Sequence, residues 1–312
     1  MNAVEVIDLE KRFGSFVAVN KISFEVKQGA IYGFLGPNGA GKSTTIRMLC
    51  GILAPTGGRG TVGGFDIYIE TEKIKSSIGY MSQKFSLYED LTVEENINFW
   101  SGVYGVAGKE LEKRKSWVIE MSGLKEHKDV LCSHLSGGWK QRLALGSALL
   151  HSPKIVFLDE PTSGVDPNSR REFWNLIYEL SSRNVTVFVT THYMDEAEYF
   201  DKIAFIYQGD LIAEGSPDSL KKEVIKEKVI NLACPSPQEA MDHILKIYGV
   251  KDAALFGEGL HLVAADPDLV MNEVKLFFNK NNLSYSRLEV VAPSLEDVFV
   301  SLIEGHDAGR AN

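Results

Sequence analysis

The densest chemistry in the sequence sits in eight consecutive residues. Gly36-Pro37-Asn38-Gly39-Ala40-Gly41-Lys42-Ser43 fits the pattern G-x-x-x-x-G-K-[ST], with Thr44 next in the chain. Glycines without a Cβ let the backbone curl, so that successive N–H groups point inward at phosphate oxygens ahead of a helix N-terminus. Lys42 supplies a point charge to β- and γ-phosphates, and Ser43 offers a hydroxyl ligand to Mg²⁺. A second set ends the apolar run Ile155-Val156-Phe157-Leu158, where Asp159 and Glu160 follow in sequence. Acids at the carboxyl end of a core strand suit a metal site in an open α/β sheet. Asp159 can hold Mg²⁺, and Glu160 can polarise an attacking water. A third set, Leu135-Ser136-Gly137-Gly138-Trp139, opens a helix over 140–150. Taken alone it reads as a flexible turn, just as His192 alone, after a strand, reads as structural.

The elements that must position these groups follow from the hydrophobic pattern. Residues 4–9 and 22–26 alternate apolar and polar, as half-buried antiparallel strands do. Residues 30–35 form a short apolar strand that runs into the glycine loop, and a helix follows over 42–50. The stretch 55–64, with five glycines, reads as a turn-rich connection. Helices over 92–104 and 109–121 form an insert. Buried strands at 155–158 and 185–189 flank a helix over 169–180, and a hairpin closes the pattern at 203–213. Alternating strands and helices favour an α/β fold with a largely parallel core sheet.

The charged stretch Leu220-Lys221-Lys222-Glu223-Val224-Ile225-Lys226-Glu227-Lys228 marks a boundary. Beyond it the order becomes βαββαβ, the ferredoxin-like pattern, followed by a short helix over 294–303. The expected division is 1–222 and 223–312, with the helical part of the first domain at about 88–150 and a disordered tail at about 305–312.

In order along the chain, the glycine loop, Leu135-Ser136-Gly137-Gly138, the Asp159-Glu160 strand and His192 closely resemble the motifs of the ATP-binding-cassette (ABC) nucleotide-binding domain. The signature of that family is usually LSGGQ, and Trp139 replaces its glutamine here. The resemblance covers residues from about 4 to 220 and implies a P-loop NTPase of ABC type: a mixed core sheet, an antiparallel β subdomain and a helical insert. It implies binding of ATP with Mg²⁺. Phe13 would stack on adenine, with Phe16 as a rival. Gln83 would reach Mg²⁺ and the water, and His192 would lie near the γ-phosphate. Ser163, Gly164 and Asp166 would form the D-loop. Ser136 and the Gly137–Gly138 backbone would face the ATP of a partner copy in a head-to-tail dimer, either a homodimer or a paralogous heterodimer. Trp139 is read as a cover over that interface.

Pro293-Ser294-Leu295-Glu296-Asp297-Val298-Phe299-Val300 resembles an element found in ATPase subunits of ABC-2-type exporters, the drug- and sodium-exporter branch. The resemblance implies a motor subunit that drives a separate permease, contacted near Gln83–Leu91 with Phe85 in that segment. Leu295, Val298, Phe299 and Leu302 have helical i, i+3, i+4, i+7 spacing and read as packing.

The 312 residues carry 33 Lys+Arg and 42 Asp+Glu, and 33 − 42 gives the net charge of −9. That balance speaks against nucleic acid and lipid headgroups as partners. No apolar run approaches the ~20 residues of a spanning helix, so direct membrane insertion is not expected. The start lacks a basic n-region, and Cys50, Cys132 and Cys234 form no CxxC pair. The expected location is therefore cytoplasmic, on the inner face of the cell membrane through the permease. A soluble non-transport ABC ATPase, or a regulatory nucleotide-binding module, is the alternative. Such relatives commonly have tandem cassettes, coiled coils or zinc cysteines, none of which is visible, and the intact Asp159, Glu160, Gln83 and His192 favour an enzyme over a switch.

Overall fold

The computed structural model describes residues 1–84, 86–281 and 283–311. The chain divides into two compact units, Met1–Ser216 and Pro217–Asn312.

The first unit opens with strands β1 (Asn2–Phe13) and β2 (Phe16–Lys27), then β3 (Ile31–Leu35) and helix α1 (Lys42–Leu49). Strands β4 (Gly57–Val62) and β5 (Phe65–Asp66), helix α2 (Thr71–Ser77) and strand β6 (Ile78–Met81) follow. Three helices come next, α3 (Val93–Val103), α4 (Gly108–Met121) and α5 (Gly137–Ala148). The unit ends with β7 (Ile155–Asp159), α6 (Pro167–Ser182), β8 (Thr186–Thr191), β9 (Lys202–Tyr207) and β10 (Asp210–Gly215).

These strands make two sheets. The core sheet has the order β10-β9-β3-β8-β7-β6. Its strands β9, β3, β8, β7 and β6 run parallel, and β10 returns antiparallel on the edge. β3, β7 and β8 are buried at every residue, which explains their unbroken apolar runs. An antiparallel sheet, β2-β1-β4-β5, packs against this core, with Phe24 stacked on Tyr32 and Tyr32 on Phe188. The glycine-rich stretch expected as a connection is a strand: β4 pairs with β1, Val4 opposite Val62 and Val6 opposite Gly60. The free edge of β1 supplies hydrogen-bond partners that local glycine propensity does not reveal.

The helical layer has its own core of Val93, Ile97, Val118, Leu124 and Leu143. Helix α3 starts where a capping box forms, Glu95 N–H donating to Thr92 Oγ1 at 3.2 Å and Thr92 N–H to Glu95 Oε2 at 2.8 Å.

The second unit begins with α7 (Pro217–Val224), followed by β11 (Lys228–Ala233), α8 (Pro237–Ile244), β12 (Val250–Phe256), β13 (Gly259–Ala264), α9 (Pro267–Lys280), β14 (Arg287–Val291) and α10 (Leu295–Ala311). Its four antiparallel strands have the order β12-β13-β11-β14. Leu260 and Leu262 of β13 join the core formed with α8 and α9. Side chains alternate along a strand, so His261 points to the opposite face, where its Nδ1 meets Asp297 Oδ1 of α10 at 2.8 Å.

Two expected boundaries shift. α7 packs on α10, so the division falls at Ser216/Pro217 rather than at 222/223. The tail expected to be disordered from about 305 is instead the last part of α10, which continues to Ala311; Asn312 lies outside the described residues. Once started, a helix gains a hydrogen bond for each residue added, and half-buried His306 shows that this part is not wholly solvated. Leu295 and Val298 are buried, as the stripe predicts.

Candidate active site

The parallel registers bring the chemistry together. Leu35 lies beside Thr191, Asp159 beside Thr190 and Met81 beside Leu158. The residues just past these strand ends, Gly36, Glu160, His192 and Gln83, therefore emerge on one edge of the core sheet.

The loop after β3 is held by close backbone packing. A Cβ on Gly36 would stand 2.1 Å from the carbonyl oxygen of Ile206, and one on Gly41 would stand 2.5 Å from that of Ala18. Gly41 also has φ 112° and forms the N-cap of α1. Pro37, Asn38, Gly39 and Ala40 complete the curl. The first N–H groups of a helix lack intrahelical acceptors, so those of Lys42, Ser43 and Thr44 suit an anion. Lys42 is buried, and its Nζ donates to the carbonyls of Gly36 at 2.7 Å and Pro37 at 3.1 Å. The same Nζ lies 3.1 Å from Glu160 Oε1.

Ser43 Oγ donates to Asp159 Oδ1 at 3.0 Å, so the hydroxyl and the carboxylate expected to hold Mg²⁺ are neighbours. Among the described residues no cluster of three His, Cys, Asp or Glu could hold a metal. One carboxylate beside a hydroxyl, facing a phosphate loop, fits Mg²⁺, which takes few protein ligands and relies on substrate phosphates.

Glu160 has a left-handed backbone, φ 49°, and is buried. A non-glycine residue in that region carries strain that neighbouring contacts must hold in place. Its N–H donates to Thr190 Oγ1 at 3.0 Å, while Thr190 Oγ1 donates to Asp159 Oδ1 at 2.6 Å. Gln83 Nε2 donates to Glu160 Oε2 at 3.1 Å. His192 Nδ1 lies 3.2 Å from that same oxygen, at an angle that makes no hydrogen bond. Lys42, Gln83 and His192 thus converge on one carboxylate.

The remaining expected residues lie outside this cluster. Phe13 and Phe16 pair at the tip of the β1–β2 hairpin and are both exposed, with the Lys11 ammonium 5.1 Å from the Phe13 ring centre, so two aromatics stand at the surface as candidates to stack on a base. Leu135 is buried, whereas Ser136 and Gly137 are exposed at the start of α5, where Ser136 is the N-cap without using its hydroxyl to cap. Gly138 packs on Ser169 of α6. Trp139 packs inside the helical layer, 4.7 Å from the His127 ring and beneath the Arg142 guanidinium. Its ring therefore makes contacts within its own subunit while staying partly exposed. Ser163 and Gly164 are exposed in the turn before α6. Asp166 caps α6, accepting from Asn168 N and Ser169 N; these bonds, the Ser169 backbone first, hold its carboxyl below the ordinary value. Phe85 lies outside the described residues.

Three residues escaped the sequence reading. Thr190 bridges the two acids. Gln141, buried in α5, donates to the Pro161 carbonyl at 2.7 Å and so joins the signature helix to the segment after Glu160. Glu196 is wholly buried, and burial pushes its carboxyl above the ordinary value against the pull of hydrogen bonds from Thr162, Thr191 and Trp174. Only the Thr190-Thr191 pair leading into His192 offered a signal, two hydroxyls at a strand end.

A family profile for ABC transporters matches residues 19–163. The linearmycin resistance ATP-binding protein LnrL of Bacillus subtilis (strain 168) is 36% identical over 299 residues, 95% of this chain and 96% of that protein. The chain belongs to the ABC transporter ATP-binding protein family. The probable multidrug ABC transporter ATP-binding protein YbhF of Escherichia coli (strain K12) is 52% identical over 220 residues. That match takes in 70% of this ABC protein and only 38% of the length of YbhF. A solved ATP-binding cassette, dimeric in a post-hydrolysis state with ADP and Pi, is 26% identical, with a TM-score of 0.63 over 68% of this chain and 98% of that one. The first unit accordingly has the ABC ATPase fold.

Proposed function

We propose that this chain is the ATP-hydrolysing motor subunit of an ABC-2-type exporter. The observation that carries the reading is the convergence of Lys42, Gln83 and His192 on Glu160, beside the Ser43–Asp159 pair. In this reading the loop N–H groups and Lys42 bind the β- and γ-phosphates, and Ser43 and Asp159 hold Mg²⁺, which offsets phosphate charge when bound. Glu160 polarises the attacking water, Gln83 and His192 fix its surroundings, and Phe13 stacks on adenine. Positioning and electrostatics do most of the work in such a site.

The exposed Ser136 hydroxyl supports a second role, contact with the nucleotide of a partner copy. The working form is then a head-to-tail dimer, of identical or paralogous subunits, with the D-loop at Ser163–Asp166 near the junction. The relation to LnrL, a resistance protein, and to YbhF, a probable multidrug transporter protein, supports export. A separate integral-membrane permease docks near Gln83–Leu91, which attaches the subunit to the cytosolic membrane face. In that region Glu89 pairs with Lys140 of the signature helix at 2.8 Å, and a cavity of about 120 Å³ opens between Tyr80, Leu87, Trp100 and Tyr104. No helix among the described residues is long and apolar enough to cross a membrane.

Light scattering tests the dimer. Glu160→Gln is expected to dimerise when ATP is added, and Lys42→Ala to stay in its ATP-free state. The same Glu160→Gln protein, added to detergent-solubilised membranes of its source, should retain an integral-membrane partner. A failure of ATP to change the mass of Glu160→Gln would contradict the reading.

A further inference from the structure

Glu196 sits in the short turn Met194–Tyr199 after β8 and has 0% exposure. Its carboxylate accepts from Thr162 Oγ1 at 2.5 Å, Thr191 Oγ1 at 2.6 Å and Trp174 Nε1 at 3.3 Å. Arg170 Nε stands 3.7 Å from Oε1, and its guanidinium covers the Tyr193 ring at 4.3 Å. Thr191 Oγ1 in turn accepts from Tyr193 N–H at 3.0 Å. Thr162 is two residues past Glu160 and directly precedes Ser163, while Thr191 and Tyr193 flank His192. One carboxylate thus ties the backbone after Glu160 to the backbone on both sides of His192.

A buried carboxylate is a poor way to gain stability, because apolar residues fill such space at lower cost. What it provides is direction: two oxygens with several donors fix where the two segments lie. We propose that Glu196 is a positioning residue, which holds Glu160 and His192 at their working separation and couples the start of the D-loop to the segment carrying His192. The proposal rests on the hydrolytic reading above. Glu196 hydrogen-bonds to none of the phosphate-loop residues and not to Phe13, so its loss should spare nucleotide affinity. Misplacing a catalytic group by an ångström costs rate far more than binding.

Steady-state ATP hydrolysis by the full chain with Mg-ATP tests this. E196A should lower kcat by about tenfold or more with KM for ATP within about twofold of the parent. E196Q, which keeps the shape and one acceptor oxygen, should recover most of that loss. T162V and T191V should each lower kcat while leaving KM unchanged, and they carry the test if E196A does not fold. A parent no faster than E160Q would overturn the hydrolytic reading itself. An active parent would overturn the proposal in any of three cases: E196A keeps kcat within about threefold, E196A and E196Q lose kcat equally, or, with E196A unfolded, both threonine variants keep the parent kcat.

Discussion

Glu160 shows how much of the site is decided by single side chains. Its backbone is strained, φ 49°, and its carboxylate faces Lys42, Gln83 and His192 at once. The hydroxyl of Thr190 keeps this arrangement in place by donating to Asp159 while accepting from Glu160 N–H. Thr190→Val preserves shape and removes both hydroxyl bonds; Glu160 N–H keeps the Thr190 carbonyl at 3.0 Å, so the main loss is the bond to the buried Asp159 carboxylate, about 1.5–3 kcal/mol. The expected outcome is a lower melting temperature together with reduced ATP turnover, read by calorimetry and a phosphate-release assay. Unchanged turnover would show that the strained backbone at Glu160 needs no such support. Motif residues were legible in the sequence because each has a fixed type at a fixed spacing. Thr190, Gln141 and Glu196 were not, because a hydroxyl, an amide or a carboxylate without a motif acquires its role only from what folding places beside it.

At the scale of elements, parallel register does the positioning. Strands β3, β7 and β8 end level with one another, so that loops distant in sequence meet. Their apolar runs made them legible. The strand β4 was not legible, because its glycines read as turns until β1 offers an edge. The helix α10 was legible as a stripe of Leu295, Val298 and Phe299, but its extent was not, since that depends on packing against α7. Its start is set by a second local device. Burial alone would raise the Asp297 carboxyl, yet hydrogen bonds from His261 and then Ser294 outweigh this and hold it below its ordinary value of 3.8. A carboxyl depressed by folding contributes stability that is complete above the unfolded value, and that contribution is lost as pH falls through the folded one. Asp297→Asn should therefore lower the melting temperature near neutral pH and reduce the difference from the parent below about pH 4. A difference between the two proteins that stays constant from pH 7 to pH 3 would contradict this account of the His261–Asp297 contact.

For the whole molecule, the two-unit division follows from composition as much as from packing. The charged stretch after 220 marked the change from alternating α/β order to βαββαβ, and the contact boundary lies a few residues earlier, at Ser216/Pro217. The relation to LnrL extends along both units, whereas the match to YbhF covers 220 residues. The net charge is −9, and no helix among the described residues is long and apolar enough to cross a membrane. The activity of the whole molecule rests on ATP hydrolysis at the cluster around Glu160. The most direct test compares steady-state phosphate release from Mg-ATP by the parent chain and by Glu160→Gln, with nucleotide binding measured on both. The account predicts turnover by the parent, equal ATP binding by the two proteins, and a loss of at least about a hundredfold in kcat for Glu160→Gln. Equal turnover by the two proteins would contradict it.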